Sequence, residues 1–139
     1  MVQTESVRRW ARKILPHRPI YVIPNGVLPP NSDAEPTIAS RENTRRVVGL
    51  GRLSSQKGFD LLIAAFAKIV DRQPDWYLQI FGEGAERQAL EQLSEHLAIS
   101  DRVQLPGWIS QTEAALHQGD LFVLSSRYEG FPNALLEAM

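Results

Sequence analysis

The sequence predicts an α/β fold built on a doubly wound, Rossmann-like parallel sheet. Two observations predict it. Short apolar runs alternate with segments of helical periodicity, and the loops between them are too short for anything but right-handed βαβ units. With 139 residues and 43% apolar content, the chain can bury about two-thirds of its surface as one small domain. A formal net charge of -1 gives no pull toward nucleic acid. The chain has no cysteine, which excludes disulfides and thiolate metal sites and fits a reducing cytosol. No stretch reaches the roughly eighteen apolar residues of a membrane span, and the start, Met1-Val2-Gln3-Thr4-Glu5, lacks the plan of a signal peptide, so a cytoplasmic protein is expected.

The elements follow in order. Thr4 to Leu15 reads as a helix, capped by Thr4 and stopped before Pro16, because the residue before a proline is steered out of the helical region. Tyr21-Val22-Ile23 reads as a strand closed by Pro24-Asn25-Gly26. Pro29, Pro30, Asn31, Ser32, Asp33 and Pro36 then make a proline-punctuated linker, which sets a domain boundary near residues 28–44. Residues 45–51 form a short buried strand, and Phe59, Leu62, Ile63, Phe66, Ile69 and Val70 repeat at helical spacing. Trp76 to Phe81 is a second strand, and Ala85 to Leu97 a helix with Leu90, Leu93 and Leu97 on one face. Val103 to Leu105 is a third strand, a Ser110/Glu113 capping box opens a helix to about Gln118, and Leu121 to Leu124 is a fourth strand.

Candidate chemistry gathers on the loops after these strands, where open α/β sheets bind ligands. Gly49 and Gly51 flank Leu50, and Arg52, Lys57 and Gly58 follow. A guanidinium that can bridge two oxygens beside a point-charged ammonium suits a diphosphate; a solvated basic loop is the plainer reading. Gly82-Glu83-Gly84 permits close backbone approach, and also serves as a simple strand-to-helix turn. Trp108 could flank a nucleobase but reads first as a half-buried packing tryptophan. At the end of the chain Glu129 and Glu137 stand eight positions apart across Gly130, Phe131 and Pro132. Pro132 suits the first helical position, so Glu129 lies on the loop and Glu137 in the helix, two acids facing one crevice beside orphan amides that welcome polar or anionic groups.

Other patterns fail on spacing. Gly49-Leu50-Gly51-Arg52-Leu53-Ser54 imitates a dinucleotide fingerprint, but Ser54 stands where the third glycine belongs, which leaves an NAD-binding Rossmann fragment as a remote alternative. A Walker loop needs its lysine after the second glycine, and Lys57 precedes Gly58. His17, His96 and His117 are scattered, and no Asp-x-Asp pair is present to hold a divalent ion. Arg8, Arg9, Trp10, Arg12 and Lys13 could touch an anionic membrane surface and read first as a solvated helical face.

Taken together, the run Gly51 to Asp60, then Gly82-Glu83-Gly84, Leu105-Pro106-Gly107 and Glu129 to Glu137 resembles the retaining nucleotide-sugar glycosyltransferases of the GT-B fold, the "group 1" transferases. The resemblance covers about residues 45–139, and Ile23-Pro24-Asn25-Gly26-Val27 is similar to the family's crossing from its acceptor domain. It implies that residues 1–27 end an acceptor-type domain with its last helix and strand, that 28–44 is linker, and that 45–139 is the incomplete C-terminal, donor-binding domain. It implies transfer of a hexose-type sugar from a nucleoside diphosphate sugar, with retention, in glycan or polysaccharide synthesis. By the same resemblance the catalytic residues are Arg52 and Lys57, holding the diphosphate, and Glu129, at the sugar. Glu137 takes the ribose hydroxyls, and Gly51, Gly82, Gly84 and the backbone of Gly130, Phe131, Asn133 and Ala134 complete the donor site.

No cofactor or metal is expected, since two cations and a helix dipole stabilise the departing charge. The partners implied are the nucleotide sugar and a glycan or lipid-linked glycan acceptor, with no nucleic acid and with peripheral contact at the inner membrane face as an option. The chain is shorter than a family member, so it is expected to be a fragment inactive by itself; a non-catalytic nucleotide-sugar-binding remnant is the alternative. Stopping after four strands should also leave Leu121 to Leu124 as a long apolar edge and make the chain poorly soluble.

Overall fold

A computed structural model describes residues 1–24, 26, 44–129 and 133–139. The chain begins with α1 (Glu5–Ile14), whose first turn is closed by the Thr4 hydroxyl accepting from the Val7 N–H at 3.3 Å. After it come β1 (Arg45–Leu50), a 3₁₀ turn at Ser55–Lys57, α2 (Phe59–Ala67), a second 3₁₀ turn at Val70–Arg72 and β2 (Trp76–Phe81). The rest is α3 (Arg87–His96), β3 (Val103–Gly107), α4 (Thr112–His117), β4 (Leu121–Phe122) and α5 (Asn133–Glu137). The four strands are parallel, in the order β3-β2-β1-β4, which is the order of a doubly wound sheet at the point where its winding reverses.

The strand period of two divides the core between the faces. Val47 of β1 and Leu78 and Ile80 of β2 join Phe59, Leu62, Ile63 and Phe66 of α2 and Leu90 of α3 in one cluster. Val48 and Phe81 point the other way and pack with Ala115 of α4. Helices therefore cover both faces, as the sequence predicts. Ile63, Leu78 and Ile80 are completely buried, and each such side chain stabilises the fold by about 1.5–3 kcal/mol relative to an exposed one.

Several expected elements are altered. The strand at 21–23 is reduced to one parallel bridge between Val22 and Val2, because the chain's first residues offer it a single partner position. The helical period that runs to Val70 breaks at Ala67, where Lys68 and Ile69 donate three residues back instead of four and tighten the chain into the second 3₁₀ turn. Helix α3 starts at Arg87 rather than Ala85: the Arg87 N–H still closes a tighter turn onto the Gly84 carbonyl at 3.2 Å, and the first four-residue bond runs from Leu90 to Glu86 at 2.9 Å. The Ser110/Glu113 capping box does not form: α4 begins later, at Thr112, with Gln111 at its cap and no side-chain cap bond. The third strand runs two residues further, through Pro106 to Gly107, and a proline is tolerated there because, among the described residues, β3 pairs with β2 alone.

The fourth strand is shorter than expected, since only Leu121 and Phe122 pair with β1 and the Val123 N–H makes a last bond to the Val48 carbonyl at 2.9 Å. The chain then leaves the sheet to run along the loop after β1, so the long apolar edge expected at 121–124 is two residues. Asn25, Val27, residues 28–43 of the expected linker, and Gly130, Phe131 and Pro132 lie outside the described residues.

Candidate functional site

All four strands deliver their following loops to one edge of the sheet, and the loops meet there in two ways. The first is through backbone. The Gly51 N–H donates to the Phe81 carbonyl at 3.0 Å, Gly82 to Gly107 at 2.8 Å and Leu53 to Glu83 at 2.9 Å, so the ends of β1, β2 and β3 are laced together. Gly82 has φ 141, and a Cβ built on it would run into the carbonyl oxygen of Gly51. Only glycine permits that approach. Gly84 follows on the same turn, its carbonyl accepting from Arg87 at 3.2 Å. Between these loops lies a cavity of about 330 Å³, walled by Leu50, Gly51, Arg52, Gly82, Trp108 and Thr112 among others. Arg52 is exposed, and no described carboxylate pairs with it.

Trp108 corrects its sequence reading. It is 75% exposed and lines the cavity, where a half-buried packing residue is expected; the turn at Gly107, φ 98, carries it off the sheet. Beside the cavity, Arg87 grips both oxygens of Glu83 at 2.9 and 2.7 Å and both of its terminal nitrogens donate to the Leu105 carbonyl at 3.1 Å. The hydrogen bonds and charge of Arg87 hold the Glu83 carboxyl below its ordinary value of 4.5.

The second junction is made by side chains, and it joins the loop after β1 to the loop after β4. Ser125 donates to the Lys57 carbonyl at 2.8 Å, Gln56 to the Tyr128 carbonyl at 3.2 Å, and the Arg127 N–H to the Gln56 carbonyl at 2.8 Å. Gly58, with φ 63, leaves room for the Ser125 carbonyl that any Cβ would fill. At the end of the strap Lys57 Nζ lies 2.6 Å from Glu129 Oε1, and Ser126 donates to the same oxygen at 2.6 Å. Both partners are mostly shielded, with 23% and 18% of their side chains exposed. Burial pushes the Glu129 carboxyl up, but the hydrogen bonds from Lys57 and Ser126 and the Lys57 charge outweigh it and hold the group below 4.5. It is thus an acceptor-only carboxylate at neutral pH, with no donor to Oε2 among the described residues.

The two junctions touch. The Lys57 stem lies over Gly51, its Cε 3.1 Å from where a Cβ on that glycine would stand, so the ion pair borders the cavity. Of the residues singled out from sequence, the structure brings Gly51, Arg52 and Gly82 together at the cavity and Lys57 and Glu129 together beside it. Asn133 and Ala134 open α5. Glu137 is its exposed last residue, without an ion-pair partner among the described residues. The charged neighbour of Glu129 is therefore the cation that the sequence reading assigns to a diphosphate. That reading also misses Asp60, Ser125, Ser126 and Arg127, although Ser125-Ser126-Arg127 runs directly toward Glu129 and Asp60 closes the run that begins at Gly51. Among the described residues no group of three or more His, Cys, Asp or Glu side chains is placed to hold a metal ion, and no helix is long and apolar enough to cross a membrane.

Known proteins resemble this chain in sequence and in fold. Residues 32–139 match the family described as glycosyl transferases group 1. The chain is 40% identical over 91 residues to the lipopolysaccharide core biosynthesis glycosyltransferase LpsD of Rhizobium meliloti, covering 66% of this chain and 25% of that protein. It is 33% identical over 129 residues to the phosphatidylinositol N-acetylglucosaminyltransferase gpi3 subunit of Schizosaccharomyces pombe, covering 91% of this chain and 28% of that one. The chain thus spans about a quarter of the length of these curated relatives. Among solved structures, a mutant of S. aureus TarM crystallised with fondaparinux, alpha-GlcNAc-glycerol and UDP superposes with a TM-score of 0.84 at 25% identity, over 99% of this chain and 27% of that one. The chain belongs to the glycosyl transferases group 1 family, and its sheet is part of a GT-B fold.

Proposed function

We propose that this chain forms the donor-binding part of a glycosyltransferase that moves a hexose-type sugar from a nucleoside diphosphate to a glycan or lipid-linked glycan acceptor, with retention of anomeric configuration. The observation that supports it is the Lys57–Glu129 contact beside the cavity: one cation and one carboxylate acceptor stand 2.6 Å apart, the two kinds of group that a diphosphate and a sugar hydroxyl call for. The cavity takes the nucleotide. Arg52 on its wall and Lys57 at its rim hold the diphosphate and offset the negative charge that grows as the glycosidic bond breaks, so no metal is needed to stabilise the leaving group. Glu129 accepts from the sugar hydroxyls, Glu137 from the ribose hydroxyls, and the amides of Gly130, Phe131, Asn133 and Ala134 complete the sugar site. The UDP bound by TarM and the lipopolysaccharide and phosphatidylinositol roles in the names of the relatives agree with this reading. The protein works in the cytoplasm or at the inner membrane face, and these 139 residues bind donor without transferring it.

Calorimetric titration with UDP, GDP and ADP and with the matching free nucleosides tests the assignment. Lys57→Ala or Arg52→Ala should weaken the preferred nucleoside diphosphate by about 1.5–3 kcal/mol and the free nucleoside far less. Equal losses for both ligands remove the diphosphate from these two residues.

A further inference from the structure

The strap between the loops after β1 and β4 contains a second charged pair, more exposed than the first. Arg127 Nη1 and Nη2 fork onto Asp60 Oδ1 and Oδ2 at 2.8 and 2.6 Å, and Nη1 also donates to the Ser55 carbonyl at 2.7 Å. Asp60 sits in the first turn of α2, and Ser55 opens the 3₁₀ turn that carries Lys57. The Arg127 backbone N–H reaches Gln56 in the middle of that turn at 2.8 Å. One residue therefore clasps the Lys57 turn at its start, within it and after it. It stands two positions ahead of Glu129 on a segment with no helix or strand of its own. A planar fork on a carboxylate fixes direction as well as distance, which a single contact does not.

We propose that Arg127, through its fork on Asp60, is a positioning residue that holds the Lys57 turn and the Glu129 loop in register, so that the cation and the carboxylate of the donor site stay in contact. The inference rests on the donor-site reading above only for its consequence in binding. The register itself is a property of the free chain. Arg127 touches neither Lys57 nor Glu129 through a side chain. Its loss acts on them through the backbone, by freeing residues 125–129 to drift from the turn, and an arrangement loosened in this way binds more weakly without losing any binding group.

The test follows the Glu129 carboxyl carbon by NMR in the 139-residue chain labelled at glutamate, with the signal assigned by Glu129→Gln. In the native chain the hydrogen bonds from Lys57 and Ser126 hold this carboxyl below its ordinary value. In Arg127→Gln and in Asp60→Asn it should move up toward that ordinary value, and the double variant should move no further than either single one, since both cut the same link. Arg87→Gln, which cuts an exposed carboxylate pair off the strap, should leave it in place. Arg127→Lys keeps the charge and the stem, guards against a variant that fails to fold, and should fall between. Affinity for the preferred nucleoside diphosphate should drop about tenfold in Arg127→Gln, the low end of what removing an outer partner does to a metal ligand. An unmoved Glu129 signal in Arg127→Gln and Arg127→Lys overturns the proposal, as does an equal shift in Arg87→Gln. If the signal moves as expected but no nucleoside diphosphate binds the native chain, the register stands and the donor reading falls.

Discussion

The two halves of the site are built from different materials. Around the cavity, the loops after β1, β2 and β3 are held by backbone bonds between Gly51, Phe81, Gly82, Gly107, Leu53 and Glu83. Around the ion pair, the loops after β1 and β4 are held mainly by the side chains of Gln56, Lys57, Ser125, Ser126, Arg127 and Glu129. Peptide groups do not titrate, so the lacing between the cavity loops depends on shape and the strap at the ion pair on charge. One half should fail by collision, the other by protonation.

The sharpest way to break that contrast is Gly82→Ala. The added methyl overlaps the Gly51 carbonyl at a backbone angle that L residues rarely adopt, and the cost should be about 3 kcal/mol or more, read as a lowered urea midpoint with unchanged slope. A loss below about 1 kcal/mol would mean that the lacing is slack. Next in size is Lys57→Met, which leaves the shielded Glu129 carboxylate without its cation. It should lower stability at pH 7 by about 1–2 kcal/mol, and adding Glu129→Gln should recover part of that loss, measured as a double-mutant cycle.

Acid should separate the halves more gently. Glu129 is held below 4.5 and, through the Arg127 hydrogen bonds, Asp60 below 3.8. A carboxyl depressed in the folded state contributes stability that is fully present above its unfolded value and is lost as pH falls through its folded value. Stability should therefore decline as pH falls below about 4.5, with Glu129 and Asp60 both contributing. The decline should be smaller in Glu129→Gln, and hydrogen exchange should rise at residues 123–129 before it rises at Gly51 and Gly82. The smallest effect is expected of Ser125→Ala, which removes one bond to the Lys57 carbonyl and should cost about 0.5–1.5 kcal/mol in thermal unfolding.

The same contrast explains what the sequence discloses. Strand and helix periodicity carry the sheet: Trp76–Phe81 matches its expected bounds, and the alternation of Val47 and Val48 between two faces is what a doubly wound sheet requires. The cavity half is legible because glycines mark close approach, and Gly51, Gly82 and Gly107 all stand at crossings. Trp108 is misread because an aromatic after Pro-Gly looks alike whether it packs or lines a cavity; only the direction in which the turn leaves the sheet decides. The capping box at Ser110 fails for a similar reason, since the motif fixes a spacing but not where the chain enters the helix. The charged half is the least legible. Lys57 and Glu129 are each conspicuous, but their contact depends on β4 lying beside β1, and nothing local to Asp60 or Arg127 announces the fork between them.

That adjacency has a consequence for how the molecule comes to be. Lys57 and Glu129 are 72 residues apart in the chain, whereas the lacing around Gly82 joins segments less than half as distant, such as Gly51 with Phe81 and Gly82 with Gly107. Closing the longer loop is entropically the harder step, and during synthesis it cannot begin until residue 129 has left the ribosome. The cavity needs the chain only as far as Thr112, whereas the ion pair needs it to Glu129. A ligand that needs both halves will ignore folding intermediates and recognise only the finished protein, and its binding amplitude in a refolding experiment should lag behind the burial of Trp76.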